Sequence, residues 1–595
     1  MDPGGRRRGT DLASVPGGAR PRPAGPESER RSVGWRLAFA VHLGTLAAGF
    51  LLLLQLNEGQ WFFGDEWAFL ADRTPGPGSP GLFAPHNEHW STIPVLIYRG
   101  LFAVFGARTY TAYIVVLLLT HLAFAHLLWQ LMRRSELDPW IATASLTVLL
   151  VFGPGADDLL WAFQIGFIGA AAFGVGLILL VDHANGFGRR DVAAWCLAIA
   201  GLMCSAVALP LIAGAGILGF VRRGWRGLLM TVGPPAVVFV VWFLTAGRSG
   251  VDSASLLTPD TIRLLPSFVW AGMSSTATAI AASPTGALVL AGLALAGLGF
   301  DAVRRRHLPI LPVACGLAVP MLFLLAGLGR ARLGLDQAEN PRYLYIAAGL
   351  LLPILAAGIT AVCRSLRAPW AMAAGVSAGV VLALVAAGIA LDVLRVRAVE
   401  QAERDSLVRG VVLASSDPTR FEGPLLSDVP LPMYAPNLQL SEILRMRSDG
   451  DLPPAPEPTG EALLQAAMGL QSRASSSPGA AVGGGGTLAG SGGIEVQMAD
   501  ACLRAVPDAA HPRVGFSYAD SVTVSLRLEP PGKVRVTLAR AGATTPGPLE
   551  LEVGEGTVLE LAVSDARALL RFDPGHELVI CGVVDRRLSM GEQGG

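Results

Sequence analysis

The sequence predicts a mostly α-helical protein, a polytopic membrane helix bundle followed by a C-terminal β-sandwich-like domain. Of its 595 residues, 52% are hydrophobic and 15% are charged, against roughly 25% charged residues in soluble domains. The apolar residues form long runs of about the 20 residues that a helix needs to cross a bilayer, whereas the C-terminal region has short alternating runs. The 46 basic and 46 acidic residues balance, which excludes a protein that binds nucleic acid by counterion release.

The membrane path begins after a Pro/Gly-rich tail, residues 1–34, in which seven arginines outnumber four acids. Such a tail is expected to be disordered and cytoplasmic. The first apolar run, 35–56, is longer than a signal-peptide core and lacks a small-residue cleavage site, so it is predicted to be a retained span. Ten further spans, which complete eleven over residues 35–391, are predicted at 110–132, 140–156, 164–182, 191–206, 207–221, 227–246, 281–300, 308–328, 343–362 and 370–391.

Arginine clusters set the predicted orientation, with the N-terminus inside and the C-terminus outside. Acids are unevenly distributed in this topology, which places eleven of those between residues 35 and 391 outside and five inside. The spans 191–206 and 207–221 leave an alternative topology open. One long broken helix could replace these two spans, and the orientation of every later span would then be reversed. The clusters fall in every second connection, as the positive-inside rule requires: Arg133/Arg134, Arg189/Arg190, Arg222/Arg223/Arg226, Arg304/Arg305/Arg306 and Arg364/Arg367.

The region after residue 391 is predicted to be extracytoplasmic. Residues 392–470 combine a helix (392–413) with Pro-rich loops, residues 471–493 form a flexible Gly/Ser-rich linker, and residues 494–595 form the β-rich domain. Cys502 and Cys581 lie near the two ends of that domain. They could pair in an oxidising exterior or remain two separate buried thiols.

The outer loop 57–109 contains the first candidate site. Asp65 and Glu66 stand between aromatic residues that would anchor them at the membrane surface, and the segment 88–106 is an amphipathic helix suited to the interface. A carboxylate in a partly desolvated place has an altered proton affinity, which suits a general base. The alternative is a pair of solvated loop acids beside an ordinary aromatic belt.

Two polar groups suggest ligand binding or a metal. His86, Asn87, Glu88 and His89 fall short of a zinc signature, so a role in fixing the loop is favoured over metal binding. The pair Asp157/Asp158 could join the first acids as oxygen ligands for Mg²⁺ or Mn²⁺, or could cap a helix.

The connection before the tenth span contains Arg330, Arg332 and Arg342 next to Tyr343. Arginine is disfavoured on the outer side of a membrane, so a lipid phosphate bound by the guanidinium groups is one explanation. Snorkelling to outer-leaflet headgroups is the other.

The chain contains three motifs in this order: GDEW at Gly64–Trp67, HNEHW at His86–Trp90 and ENPRYLY at Glu339–Tyr345. In these motifs it resembles the GT-C superfamily of membrane glycosyltransferases, which use polyprenyl-phosphate sugars and include protein mannosyltransferases and aminoarabinose transferases. Bacterial members of uncharacterised type often carry a similar series. The resemblance covers about residues 35–391 and does not extend to the C-terminal β domain. Trp90 departs from the pattern, because many members have a basic residue there.

The resemblance implies roles for particular residues. Asp65 matches the catalytic base or metal-site acid of the first loop, with Glu66 beside it, and Asp157 or Asp158 matches a second-loop acid. Arg342 and Tyr343 match the element that lies near the lipid phosphate. The HNEH residues and Arg330 are expected to contact substrate.

The expected function is transfer of a sugar from a polyprenyl-phosphate donor to an acceptor hydroxyl, with inversion, by a multi-pass protein of the plasma membrane that acts on its outer face. The expected partners are the donor, the bilayer and an unidentified glycan, lipid or protein acceptor, without nucleic acid. No cofactor is certain, and a divalent metal is possible. Two alternatives remain, a non-catalytic protein of the same fold whose β domain binds a glycan or partner, and a transporter. The near absence of charge within the spans argues against the transporter.

Overall fold

The computed structural model of the chain describes residues 26–72, 80–250, 258–306, 308–417 and most of 430–454, together with the backbone of strands between 470 and 581. The predicted tail, residues 1–34, falls mostly outside the described residues. The helices, numbered in chain order, are α1 Pro26–Leu56, α2 Thr92–Phe105, α3 Thr111–Arg134, α4 Pro139–Leu150, α5 Asp157–Leu160, α6 Ile165–Val181, α7 Arg189–Leu202, α8 Ala208–Thr245, α9 Pro259–Ala281, α10 Pro284–Phe300, α11 Ile310–Arg330, α12 Pro341–Ser365, α13 Pro369–Ser415 and α14 Leu440–Ser448.

The helices lie where the spans were predicted, but several differ from the predicted spans in length. Within the described residues, eight helices are long and apolar enough to cross a membrane. Two predicted spans coincide instead with the shorter helices α4 and α7, of 12 and 14 residues. Two others, 207–221 and 227–246, both lie in α8. Each predicted span therefore falls on a helix of the described residues, and the two spans in α8 share one of the eight long helices.

Helix α8 is folded back on itself at Gly224, which lies in the left-handed region with φ 63°. A glycine adopts this conformation without steric cost. The two halves pack closely, because a Cβ atom added at Gly219 would lie 2.9 Å from the carbonyl oxygen of Gly227. Two antiparallel helices thus occupy the region where two consecutive spans were predicted, with the Arg222/Arg223/Arg226 cluster at their turn.

Two helices differ from the sequence-based expectation. Helix α9 occupies 259–281, which was expected to be an outer loop, and it packs against α10, α11 and α12. Helix α13 continues without interruption to Ser415. The predicted domain boundary after residue 391 therefore falls inside a helix, because an apolar stretch and a polar stretch share one continuous helical backbone.

Helices α11 and α12 define two ends of the bundle. Arg330 ends α11 and Arg342 lies in the first turn of α12, whereas Ile310 begins α11 and Arg364 lies in the last turn of α12. With a rise of 1.5 Å per residue, the two ends are about 30 Å apart. We call the end that contains Arg330 and Arg342 the Asp65 end, because Asp65 lies beside them. We call the other end the arginine end, because five arginines lie around it.

The described residues between 470 and 581 form antiparallel strands in two sheets. Strand orders are β1-β9-β6-β11-β4-β3 and β2-β5-β10-β7-β8. Strands β1 and β2 lie partly or wholly in the segment predicted to be a linker, and the packing that would define a sandwich lies outside the described residues. The strands are β1 Leu470–Ala474, β2 Gly486–Ser491, β3 Ile494–Ala499, β4 Cys502–Pro507, β5 Arg513–Tyr518, β6 Val522–Glu529, β7 Gly532–Arg540, β8 Leu549–Val553, β9 Thr557–Val563, β10 Ala566–Phe572 and β11 Glu577–Cys581.

Candidate active site

Aromatic burial shapes the loop after α1. Trp61, Phe62 and Trp67 are almost completely buried, and Phe62 packs edge-on against Tyr110 with ring centroids 4.8 Å apart. Aromatic side chains contribute most of the burial energy in such a short segment. They hold the intervening residues in a tight turn, from which the Asp65 side chain emerges 36% exposed.

Glu66, the neighbour of Asp65, has the opposite environment. It is fully buried, and its carboxylate accepts hydrogen bonds from the Tyr98 hydroxyl (2.5 Å), the Tyr110 hydroxyl (3.0 Å) and the Phe63 backbone N–H (2.8 Å). Burial raises the pKa of Glu66 to about 8 although the hydrogen bonds lower it. Glu66 was expected to share the catalytic role of Asp65, but this burial instead gives it the position of a residue that joins the loop to α2 and α3.

The predicted HNEH motif is a tight turn. His86 and His89 exchange two backbone hydrogen bonds of 3.0 Å, and Asn87 adopts a positive φ of 50°. The turn places His86 Nε2 3.8 Å from Asp65 Oδ1. It also projects Glu88 toward Arg330, whose Nη1 lies 2.8 Å from Glu88 Oε1.

Burial and the two nearby arginines affect this turn electrostatically. Burial is the largest influence on His89 and, with Arg330 and Arg342, lowers its pKa to about 4 despite the opposing effect of Glu88. His89 is therefore neutral near pH 7. Burial raises the pKa of Glu88, but His89 and Arg330 outweigh it and hold that pKa below its usual range. Glu88 is thus an ionised counterion for Arg330.

Arg330 and Arg342 both lie close to the Tyr343 ring. Each guanidinium carbon is 5.7 Å from the centroid of the Tyr343 ring, within the range of a cation–π contact. The Asn340 side chain accepts a hydrogen bond of 3.1 Å from Arg342 Nε, and Asn340 also caps the N-terminus of α12. The two arginines are therefore oriented by the chain around them.

These groups meet in one cleft, although they come from segments about 250 residues apart. The cleft has a volume of about 20 Å³, which is room for about one water molecule. Of the predicted site residues, Glu66, Glu88, Tyr343, Asp157 and Asp158 are not in its wall. The residues that line it are Asp65, Phe69, His86, Asn87, His89, Ser91, Pro94, Phe163, Gly166, Phe167, Cys204, Ser205, Arg330 and Arg342.

Helix α13 supports the Asp65 loop in a way that the sequence did not reveal. The Trp61 backbone N–H donates to Asp405 Oδ2 over 3.0 Å, Gln60 Nε2 donates to the carbonyl oxygen of Ala398 over 2.8 Å, and the Arg404 guanidinium lies 3.5 Å above the Phe63 ring. The sequence signal for this support was the predicted helix 392–413, which is polar and directly follows the apolar span 370–391.

Asp157 and Asp158 do not form the predicted metal site with the first acids. Asp157 Oδ1 accepts a hydrogen bond from Gln401 Nε2 over 3.1 Å. Asp158 is fully buried, and its carboxyl oxygens accept no hydrogen bond from the residues that the structure describes. This burial raises the pKa of Asp158 well above its usual range. In the part of the chain that the structure describes, no group of three or more His, Cys, Asp or Glu side chains could hold a metal ion. The described structure therefore does not bring Asp157 and Asp158 together with Asp65 and Glu66 in one such group, and metal binding stays a prediction.

The chain is similar to a known protein in fold but not in sequence. No protein-family model and no curated protein matches the sequence. The fold is similar to the crystal structure of ArnT from Cupriavidus metallidurans bound to undecaprenyl phosphate, with a TM-score of 0.42 and 12% identity over 70% of this chain and 89% of that chain.

Proposed function

We propose that this protein is an integral membrane glycosyltransferase that moves a sugar from a polyprenyl-phosphate donor to an acceptor hydroxyl. The observation that supports this most directly is the meeting of one carboxylate, Asp65, with two guanidinium groups, Arg330 and Arg342, in a single cleft. A carboxylate can accept a proton from an attacking hydroxyl, and guanidinium groups bind phosphate oxygens in a bidentate manner.

In the proposed reaction, Asp65 accepts the proton of the acceptor hydroxyl while that oxygen forms a bond to the anomeric carbon of the sugar. The bond between the anomeric carbon and the phosphate oxygen breaks, and the phosphate leaves with the electron pair. Arg330 and Arg342 stabilise the charge of the departing polyprenyl phosphate. Attack opposite to the leaving group inverts the anomeric configuration.

The surroundings of the cleft suit a lipid-linked donor. The cleft lies at the ends of the long apolar helices α11 and α12, where a phosphate can reach the arginines while its prenyl chain remains beside apolar helix surfaces. The arginine clusters lie at the opposite end of these helices. By the positive-inside rule, we propose that the Asp65 end faces the outside of the plasma membrane.

The test is transfer of radiolabel from a panel of polyprenyl-phosphate hexoses and pentoses in membranes that contain the wild type, Asp65→Asn or Glu58→Gln. Glu58 is an exposed acid of the same loop and serves as the matched control. We expect the wild type and Glu58→Gln to transfer label to a new product, and Asp65→Asn to lose at least a hundredfold in rate, the usual minimum for loss of a general base.

Equal transfer by Asp65→Asn at normal expression would contradict the assignment of the base. Absence of transfer from the whole panel by the wild type would instead favour the non-catalytic alternative, in which the C-terminal β domain is the binding module.

A further inference from the structure

A second, larger cleft lies at the arginine end of the bundle. Its volume is about 980 Å³, within the upper range of ligand-binding pockets. Five arginines contributed by four separate connections line it: Arg134, Arg222, Arg305, Arg306 and Arg364. Each arginine is expected from the positive-inside rule, but their convergence on one opening is a property of the fold.

Hydrogen bonds and ion pairs fix most of these guanidinium groups around the opening. Arg134 Nη1 donates to the carbonyl oxygen of Leu179 over 2.6 Å, Arg222 Nη2 lies 2.6 Å from Asp182, and Arg305 Nη2 donates to the carbonyl oxygen of Arg364 over 3.1 Å. A preorganised set of donors binds an anion without a further cost for ordering the side chains.

The charge of the cleft is positive but not extreme. Glu136, Asp182 and Asp301 also line it, so the five guanidinium groups exceed the carboxylates by two positive charges. A ligand with two negative charges would balance this excess. A single phosphodiester would leave it half balanced.

The same cleft has an apolar wall. Val221 and Leu308 are more than half exposed, and Ile310 and Leu311 begin the membrane-capable helix α11 at the cleft. Arginines beside exposed aliphatic side chains, at the level where apolar helices end, match the boundary between lipid headgroups and acyl chains.

We infer that this cleft binds an anionic phospholipid of the inner leaflet with two phosphodiester groups. The phosphates would lie among the arginines and the acyl chains along Val221, Leu308 and Ile310. This inference does not depend on the proposed transferase activity, because it rests on the opposite end of the bundle.

The test uses the purified full-length chain in detergent and a titration followed by native mass spectrometry, with cardiolipin, phosphatidylethanolamine and inorganic pyrophosphate as the probes. The cleft variant is Arg305→Gln/Arg306→Gln. Its matched control, Arg189→Gln/Arg190→Gln, removes the same charge from exposed positions outside the cleft at the same end.

We expect cardiolipin to bind the wild type and the control with equal affinity, and phosphatidylethanolamine to bind neither specifically. The cleft variant should bind cardiolipin about 25-fold more weakly. Each of its two lost arginines contributes about 1 kcal/mol near the membrane surface, and each 1.4 kcal/mol is a factor of ten in affinity. An unchanged affinity in the cleft variant, or an equal loss in the control, would overturn the inference. Pyrophosphate that binds as tightly as cardiolipin would also overturn it, in favour of a soluble anion.

Discussion

Replacement of Glu66 separates the structural role of this residue from the catalytic role proposed for its neighbour. Glu66→Ala removes the acceptor for three buried donors, which are the Tyr98 hydroxyl, the Tyr110 hydroxyl and the Phe63 N–H. Each buried donor that loses its partner costs about 1–3 kcal/mol. We therefore expect a loss of about 3 kcal/mol or more in the free energy of unfolding.

Glu66→Gln should cost less than Glu66→Ala. Its side-chain oxygen can still accept from both tyrosines, whereas its amide group would face the Phe63 N–H and leave that single donor without an acceptor. The expected loss is therefore about 1–3 kcal/mol. Asp65→Asn, at a partly exposed position, should lie within about 0.5 kcal/mol of the wild type.

The assay is thermal unfolding of the purified protein in detergent at one scan rate, with Glu58→Gln as the exposed control. The expected order of stability is wild type, Asp65→Asn and Glu58→Gln together, then Glu66→Gln, then Glu66→Ala. A Glu66→Ala protein that unfolds at the wild-type temperature would refute the assignment of Glu66 as a buried structural acceptor.

Four further predictions follow from the structure, two on pH, one on the cleft and one on the β domain. Because the pKa of Glu66 is raised to about 8 in the folded protein, the folded protein keeps a proton that the unfolded chain releases above about pH 4.5. The free energy of unfolding should therefore fall as the pH rises from about 4.5 toward 8. Glu66→Gln should remove that fall in unfolding scans across this range. The lowered pKa of His89 has the opposite sign, so stability should fall as the pH drops from 6.5 toward 4, and a similar acid loss in His89→Gln would contradict this. Glu88→Gln should lower the KM for the donor by up to about fivefold with little change in kcat, because a partly exposed ion pair that competes with the phosphate contributes at most about 1 kcal/mol; a raised KM would show that Glu88 itself binds substrate. Cys502 and Cys581 lie directly opposite each other on the paired strands β4 and β11. The Cα atoms of such antiparallel partners are separated by a distance that a disulfide can span. Peptide mapping without reductant should therefore recover the two cysteines joined, and two alkylated thiols would refute the pairing.

The sequence located both halves of the cleft for a simple physical reason. In a chain that is half hydrophobic, clustered polar side chains outside the spans are conspicuous, and Asp65, His86 and Arg330 all belong to such clusters. The different environments of Asp65 and Glu66 could not be predicted, because adjacent residues in an irregular loop follow no period. In the structure, the buried aromatic residues around the loop and the three hydrogen bonds to Glu66 set which carboxylate points inward.

Helix lengths and long-range support were also beyond the sequence. Hydropathy gives the same signal for a full span and for a short apolar helix packed among others, so α4 and α7 were expected to be longer than they are. The contacts of Gln60 and Trp61 with α13 depend on that helix continuing past its apolar part. The apolar signal ends near residue 391, and the backbone helix does not.

The excess of acids predicted for the outer side has a partial explanation in the structure. In the proposed orientation, Arg330 and Arg342 lie on the side of the membrane where positive charge is disfavoured. Groups that compensate or orient these charges are therefore expected next to them. Glu88 supplies one for Arg330 at 2.8 Å, and the Asn340 side chain orients Arg342. A carboxylate in this position can be exchanged for a donor phosphate, since both present oxygen atoms to the same guanidinium group. The cleft, which has room for about one water molecule, would then open as the phosphate displaces Glu88. On this reasoning Glu88 stabilises the proposed phosphate-binding site while the site is empty, and the neutral His89 beside it adds no competing positive charge.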